Sequence, residues 1–263
     1  MRLAGRCFVR LGIAGADRSF PKLRKAVTVG LILVAVFAVP LSTPASAAVL
    51  ELTADRDNTL FADDDLSNGA GPALFAGNTG SGATRRALLF FDLAGRLPPG
   101  ARVDSVSVTL QVTNAPDDFA RPFTLHRVRG DWGEAGSIAT GGAGAAAQVG
   151  DATWRAAFYP ARPWAAAGGD FEPMASSSRS VEGLGSYTWR GAGLTADVRG
   201  WLIHPDSNDG WLLRGEESSA QTARRFASRE VGEAYARPTI TIHYTPAAIT
   251  RSQSWGGIKA AYR

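Results

Sequence analysis

The chain is predicted to be all-β: a jelly-roll-type β-sandwich with one short helix and a long irregular loop segment, preceded by an N-terminal signal helix. Three observations lead there. Apolar and polar residues alternate in several short runs, turn-forming clusters separate those runs, and the only cysteine, Cys7, lies in the leader, so the body must rely on a core rather than on disulfides.

The leader comes first. Arg2, Arg6, Arg10, Arg18, Lys22, Arg24 and Lys25 precede the apolar run Ala26 to Val39, and Ala45-Ser46-Ala47 follows. A positive region, an apolar region and a small-residue cleavage site define a secretory signal peptide over residues 1–47, and the apolar run is shorter than the ~20 residues that span a bilayer. The protein is therefore expected to be secreted or displayed at the cell surface, meeting a membrane only through this signal during export. Seven of the 28 Lys+Arg and one of the 24 Asp+Glu belong to the leader, so the body carries 21 basic and 23 acidic residues, a net charge of −2. That balance argues against a nucleic-acid partner. Lys259 is the only lysine of the body, which removes most lysine chemistry.

A single domain is expected over residues 48–246. Val49 to Thr53 begins it as a strand, followed by the acidic stretch Asp55 to Asn68. Asp55, Asp57, Asp63 and Asp65 there are candidate ligands for a structural calcium ion, against the alternative of a solvated acidic turn; the stretch lacks the glutamate that closes an EF-hand loop. Ala73 to Ala76 and Ala87 to Leu93 come next. The second is apolar on both faces, as befits a central strand covered on both sides. In Val103 to Thr113, Val106, Val108, Leu110 and Val112 share one face and Ser105, Ser107, Thr109 and Gln111 the other, the period of a half-buried strand. Phe123 to Arg129 follows.

Between Gly130 and Gly185 periodicity fails. The segment is rich in glycine and alanine, then in aromatics, and reads as an ordered surface excursion. Beyond it lie strands at Tyr187 to Trp189, Trp211 to Arg214, Arg225 to Ser228 and Thr239 to Thr245, with Ile240, Ile242 and Tyr244 inward. Leu194, Val198, Trp201 and Leu202 follow helical spacing, with Thr195 as a cap and Pro205 as a stop. Residues 247–263 form a separate C-terminal tail.

With these elements placed, the stretch from about Asp55 to Pro246 resembles the DNRLRE domain family. The resemblance is carried by RRALLFFDL, LPPGARVDSVSVTL, TLHRVRGDWGE, GDATW, PWAAAGGDF, GSYTW, ADVRGWL, NDGWLLRGEE, RRFASRE and PTITIHYTP, in that order. The family comprises exported bacterial β-sandwich modules akin to carbohydrate-binding modules and to the disaggregatase-related repeat. Phe90 departs from it, standing where the family commonly has arginine.

The resemblance implies recurrent charged positions at Arg214, Glu216, Arg229 and Glu230. If the two strands that carry them pair, Arg214 meets Glu230 or Arg229 meets Glu216, a structural charge clasp rather than a catalytic centre. Trp132, Trp154, Arg155, Tyr159, Trp164 and Asp170, in and around the irregular segment, are the candidate ligand-binding residues: flat aromatic faces beside polar groups suit stacking on sugar rings, and burial is the competing role. Asp131, Glu134, Asp151, Asp170 and Glu172 are the carboxylates available for glycoside hydrolysis, but no spacing singles out a pair. No catalytic residue is assigned. The expected role is a non-catalytic module that binds polysaccharide or cell-envelope glycan; the alternatives are a polysaccharide-degrading hydrolase or lyase, and a structural surface or matrix protein.

Overall fold

The computed structural model describes residues 46–63 and 65–247, and the expected signal helix and C-terminal tail lie outside them. Eleven strands form one large, curled antiparallel sheet: β1 (Ala48–Thr53), β2 (Arg56–Phe61), β3 (Ala73–Asn78), β4 (Thr84–Phe90), β5 (Arg102–Asn114), β6 (Arg121–Arg127), β7 (Ser177–Val181), β8 (Gly185–Arg190), β9 (Trp211–Arg214), β10 (Arg224–Ala227) and β11 (Thr239–Thr245). The order is β1-β11-β5-β10-β3-β4-β9-β6-β7, with β8 also on β5 and β2 also on β4. The all-β, sandwich-like fold expected from the sequence is present.

The sheet folds on itself at β3. Ala73 to Ala76 pair with β10 in one layer, whereas Gly77 and Asn78 pair with β4 in the other. Gly77 makes the turn possible: its φ is 104°, and a Cβ there would stand 2.9 Å from the backbone of Ala223. The strand therefore belongs to both layers.

The apolar faces of the two layers meet in the main core. Val106, Val108, Leu110 and Val112 of β5 are buried as their alternation predicts, and so are Ile240 and Ile242 of β11, whereas Tyr244 is only half-buried. Trp189, Phe123 and Phe226 pack edge to face or tilted, at 5.7 Å between Phe123 and Phe226 and 6.4 Å between Trp189 and Phe226. The indole of Trp189 donates to Phe123 O at 2.8 Å, so the polar end of this large side chain is satisfied.

Strand β4 is covered on both faces. Ala87 and Leu89 enter the main core, and Leu88 enters a second core with Leu60, Leu212, Val128, Trp132 and Trp164. This second core lies beneath the irregular segment. It explains why a run with no periodicity is ordered: the segment is the lid over the outer face of β2, β4 and β9.

The helix α1 (Ala192–Ile203) buries Leu194, Val198 and Trp201 in the main core. Its cap differs from expectation. Gly191 occupies the N-cap position, and Thr195 sits inside the first turn, where its hydroxyl donates to Gly191 O at 3.2 Å. Asp197 ties the helix to β9 by accepting from the Trp211 indole at 2.9 Å and from the Ser176 hydroxyl.

Two strands of the large sheet escaped the sequence. The run Arg56–Phe61 looks too polar to be buried, yet Asp57, Asn58 and Thr59 are all fully enclosed. Ser177–Val181 has a buried residue only at each end and pairs with β6 as an edge strand. Truncating the ring that joins the layers tests the packing: Phe226→Ala costs about 3–5 kcal/mol and lowers the melting temperature by roughly 10 °C, read by thermal denaturation.

Candidate functional site

The irregular segment is built around one asparagine. Asn58 Oδ1 accepts from Thr59 N at 2.7 Å, Ser67 Oγ at 2.9 Å and Asn68 N at 3.0 Å, and its Nδ2 donates to Gly133 O at 3.3 Å and Ala152 O at 3.4 Å. Asp151, also fully buried, accepts from Ala135 N at 2.7 Å and Gln148 N at 2.8 Å. Buried polar side chains with these partners cost little, and they fix the segment's path.

The six residues expected to bind a ligand are drawn into this lid. Trp132 is fully buried, donates its indole N–H to Asp209 O at 2.9 Å, and is covered by the Arg56 guanidinium 4.9 Å above its ring. Trp164 is 7% exposed and donates to Thr153 O at 2.9 Å. Trp154 is half-buried beneath Arg86, whose guanidinium lies 4.8 Å from its ring. Asp170 accepts from Ala165 N and Ala166 N at 2.8 and 2.9 Å, while Tyr159 is half-buried and Arg155 exposed. The rings of Trp132 and Trp164 are thus packed in the second core, with half-buried Trp154 against it.

The charged clasp exists with other partners. β9 lies between β4 and β6 while β10 lies between β5 and β3, so the two strands do not pair and Arg214 cannot reach Glu230 across them. Arg214 Nε instead donates to Glu217 at 2.8 Å, and Arg86 holds the same carboxylate with two bonds of 2.8 and 3.0 Å. Burial pushes the Glu217 carboxyl up, but Arg86 and then Arg214 outweigh it and hold it below its ordinary range. Glu216 points elsewhere and accepts from Ser218 N and Oγ and from Ser219 N. Arg229 grips Glu134 with two bonds of 3.0 and 2.9 Å.

The acidic stretch does not converge on one point. Asp55 accepts from Asp92 N at 2.7 Å, Asp63 pairs with Arg85 at 2.5 Å, and Asp65 is exposed. Asp57 alone turns inward, to Glu134 and Glu230, and these three place carboxylate oxygens within 4.8 Å of one another. Burial, then the charge of Glu230, raises the Asp57 carboxyl well above its usual range, against the opposing hydrogen bond from Arg229 N. Burial also raises Glu134, and Arg229 offsets part of that rise. Among the other carboxylates considered for hydrolysis, Asp131 pairs with Arg56 at 3.0 Å and Glu172 with Arg129 at 3.1 Å.

A feature the sequence did not disclose lies across β3, β10 and β5. Phe75, Arg225 and Asn114 are cross-strand neighbours, Arg225 opposite Phe75 on one side and Asn114 on the other. They line a groove of about 330 Å³ with Thr79 and Gln221, roofed by Gly141 and Gly142. Gln221 holds φ at 62°, the left-handed region that side chains other than glycine seldom adopt, so the turn presents its exposed amide under constraint. The Nε of Arg225 is buried without a partner among the described residues. Register was the missing signal: nothing in a single sequence aligns residues 75, 114 and 225.

A scan against protein-family models finds no matching family, and a search of the curated proteins finds no match.

Two measurements follow. Glu217→Gln, which leaves Arg86 and Arg214 without their shared anion, destabilises by about 2–4 kcal/mol in denaturant titration, whereas Glu216→Gln costs less than about 1 kcal/mol. His126 gives the pH dependence. Its ring is 5% exposed, held by Glu172 O and Thr124 Oγ1 at 2.9 Å each, and burial lowers its basicity. The unfolded chain therefore binds this proton more readily, so stability is complete above about pH 6.5 and declines as the pH falls below it. Melting temperatures across that range decline less steeply in His126→Gln.

Proposed function

We propose that this chain is an exported, non-catalytic β-sandwich module of the DNRLRE type that binds polysaccharide or cell-envelope glycan outside the membrane. The observation that carries this reading is the groove across β3, β10 and β5. It sets a guanidinium and two exposed amides, those of Asn114 and Gln221, around one cleft, with the largely buried Phe75 in its lining. Planar hydrogen-bonding groups of this kind can address sugar hydroxyls, and about 330 Å³ falls at the lower end of small-molecule sites. The ligand surface is thus assigned to the strands rather than to the tryptophans of the lid.

The hydrolase or lyase alternative, for which the sequence offers Asp131, Glu134, Asp151, Asp170 and Glu172, has less support, and the one carboxylate cluster that forms among the described residues joins Glu134 to Asp57 and Glu230. Asp57 there is fully buried and the Glu134 and Glu230 side chains are 8% and 20% exposed, which is little surface for a glycosidic bond to reach.

A glycan array and an insoluble-polysaccharide pull-down with the full-length protein test the proposal, with soluble product followed in the same tubes. Arg225→Ala and Asn114→Ala are expected to weaken binding about ten-fold, equivalent to about 1.4 kcal/mol, while Trp154→Ala leaves it unchanged. Binding lost only in Trp154→Ala would return the site to the lid. Reducing-end or unsaturated product would make the chain an enzyme.

A further inference from the structure

The carboxylate trio is an unbalanced piece of the structure. Asp57 comes from β2, Glu134 from the segment after Trp132, and Glu230 from the turn after β10. One cation serves all three. Arg229 donates from Nε and Nη2 to Glu134, and although its Nε stands 2.8 Å from Glu230 Oε1, that contact is not a hydrogen bond. Three carboxylates against one guanidinium would, if all were ionised, leave two negative charges enclosed in protein.

The oxygens themselves are also unfilled. Asp57 is fully buried; its Oδ2 accepts from Arg229 N at 2.7 Å, but Oδ1 has no partner among the described residues. Oε1 and Oε2 of Glu230 are buried and likewise accept no hydrogen bond there. Buried acceptors of this kind are rare, because a charge removed from water needs either a donor or a counterion. Glu134 is different, with Oε1 accepting from Asp57 N at 2.8 Å as well as from Arg229. The open valences of the site therefore belong to Asp57 and Glu230.

We propose that Asp57, Glu134 and Glu230 form a site for one divalent cation of the calcium class, with Asp57 Oδ1 and the Glu230 carboxylate as its primary ligands and Glu134 shared with Arg229. Donor chemistry selects the ion. All three groups are hard oxygen donors, with no imidazole or thiolate among them, which disfavours zinc and copper. The spacing allows it, since oxygens within 4.8 Å of one another can share one ion bonded to each at about 2.3–2.6 Å. Magnesium, at about 2.0–2.1 Å and keeping most of its water, fits the enclosed trio less well. A divalent ion also cancels the two surplus charges. It would join β2, the lid and the turn after β10, three parts of the chain that meet nowhere in sequence.

This inference is independent of glycan binding. Full-length protein freed of metal with EDTA is titrated with calcium chloride by calorimetry, and its melting temperature is measured in EDTA, in about 10 mM calcium and in about 10 mM magnesium. One ion per chain is expected. Calcium should raise the melting temperature by about 3–10 °C and magnesium by less. Glu230→Gln keeps the fold, because the carboxylate makes no hydrogen bond among the described residues, and it should abolish both the heat and the calcium-dependent shift. Asp63→Asn, in the outward-facing turn, should leave both intact. Absence of binding heat with identical melting in calcium and EDTA overturns the proposal and leaves a shared proton as the relief of charge. So does a calcium shift that survives in Glu230→Gln.

Discussion

A buried polar strand is the constraint around which the rest of the molecule is arranged. Asp57, Asn58 and Thr59 are fully enclosed in β2, and the chain must surround each with partners or leave β2 unfolded. Asn58 recruits Ser67, Asn68, Gly133 and Ala152; Thr59 Oγ1 accepts from Phe75 N at 3.1 Å; Asp57 takes the backbone N–H of Arg229. The irregular segment is thus less a loop between strands than the second wall of a polar trench. Apolar packing of Trp132, Trp164 and Leu60 then seals it.

Arginine does in this fold what lysine could not. Arg224 is fully buried and reaches Glu182 O, Thr222 O, Phe119 O and Asp117 Oδ1 at 2.7–3.2 Å, four acceptors that its planar fork can address together. Asp117, gripped by Arg121 and accepting also from Phe119 N and Arg224, is held down at about 2. Arg86 covers Trp154, donates to Gly168 O and grips Glu217, so one side chain joins the lid, a strand and the turn after β9. The body's near lack of lysine is matched by such multidentate uses of the guanidinium, whatever set the composition in the first place.

How much of this was legible in the sequence depended on whether a residue's neighbours lay along the chain or across it. β5 and β11 were legible because alternation places Val106, Val108 and Leu110, or Ile240 and Ile242, on one face regardless of partner. β4 was legible because apolar residues on both faces admit only a central strand. β2 was not, because polar side chains satisfied by distant backbone look the same as solvated ones. The clasp residues were legible as charged positions, but consecutive strands β9 and β10 enter opposite layers, and side-chain direction gave the buried place to Glu217 rather than to its neighbour Glu216. The tryptophans were legible as important and illegible as to role, since a large ring anchoring a lid and one receiving a ligand share one composition.

The pairing of β1 with β11 has a consequence for time rather than for shape. Ala48 sits opposite Tyr244 and Thr53 opposite Thr239, so the first described strand to emerge during synthesis finds its partner in the last described one. Until the residues of β11 are available, β1 has no partner among the described strands, and the start of β5 from Arg102 to Val106 lacks its own, whereas Ser107 to Thr109 also pair with β8. Closure across nearly the whole described length is a slow, all-or-none event set by loop-closure entropy. Loss of only the last described strand, seven residues long, would therefore leave β1 and the start of β5 without their partner at once, and a nascent chain would keep that edge of the layer open until those residues had been made.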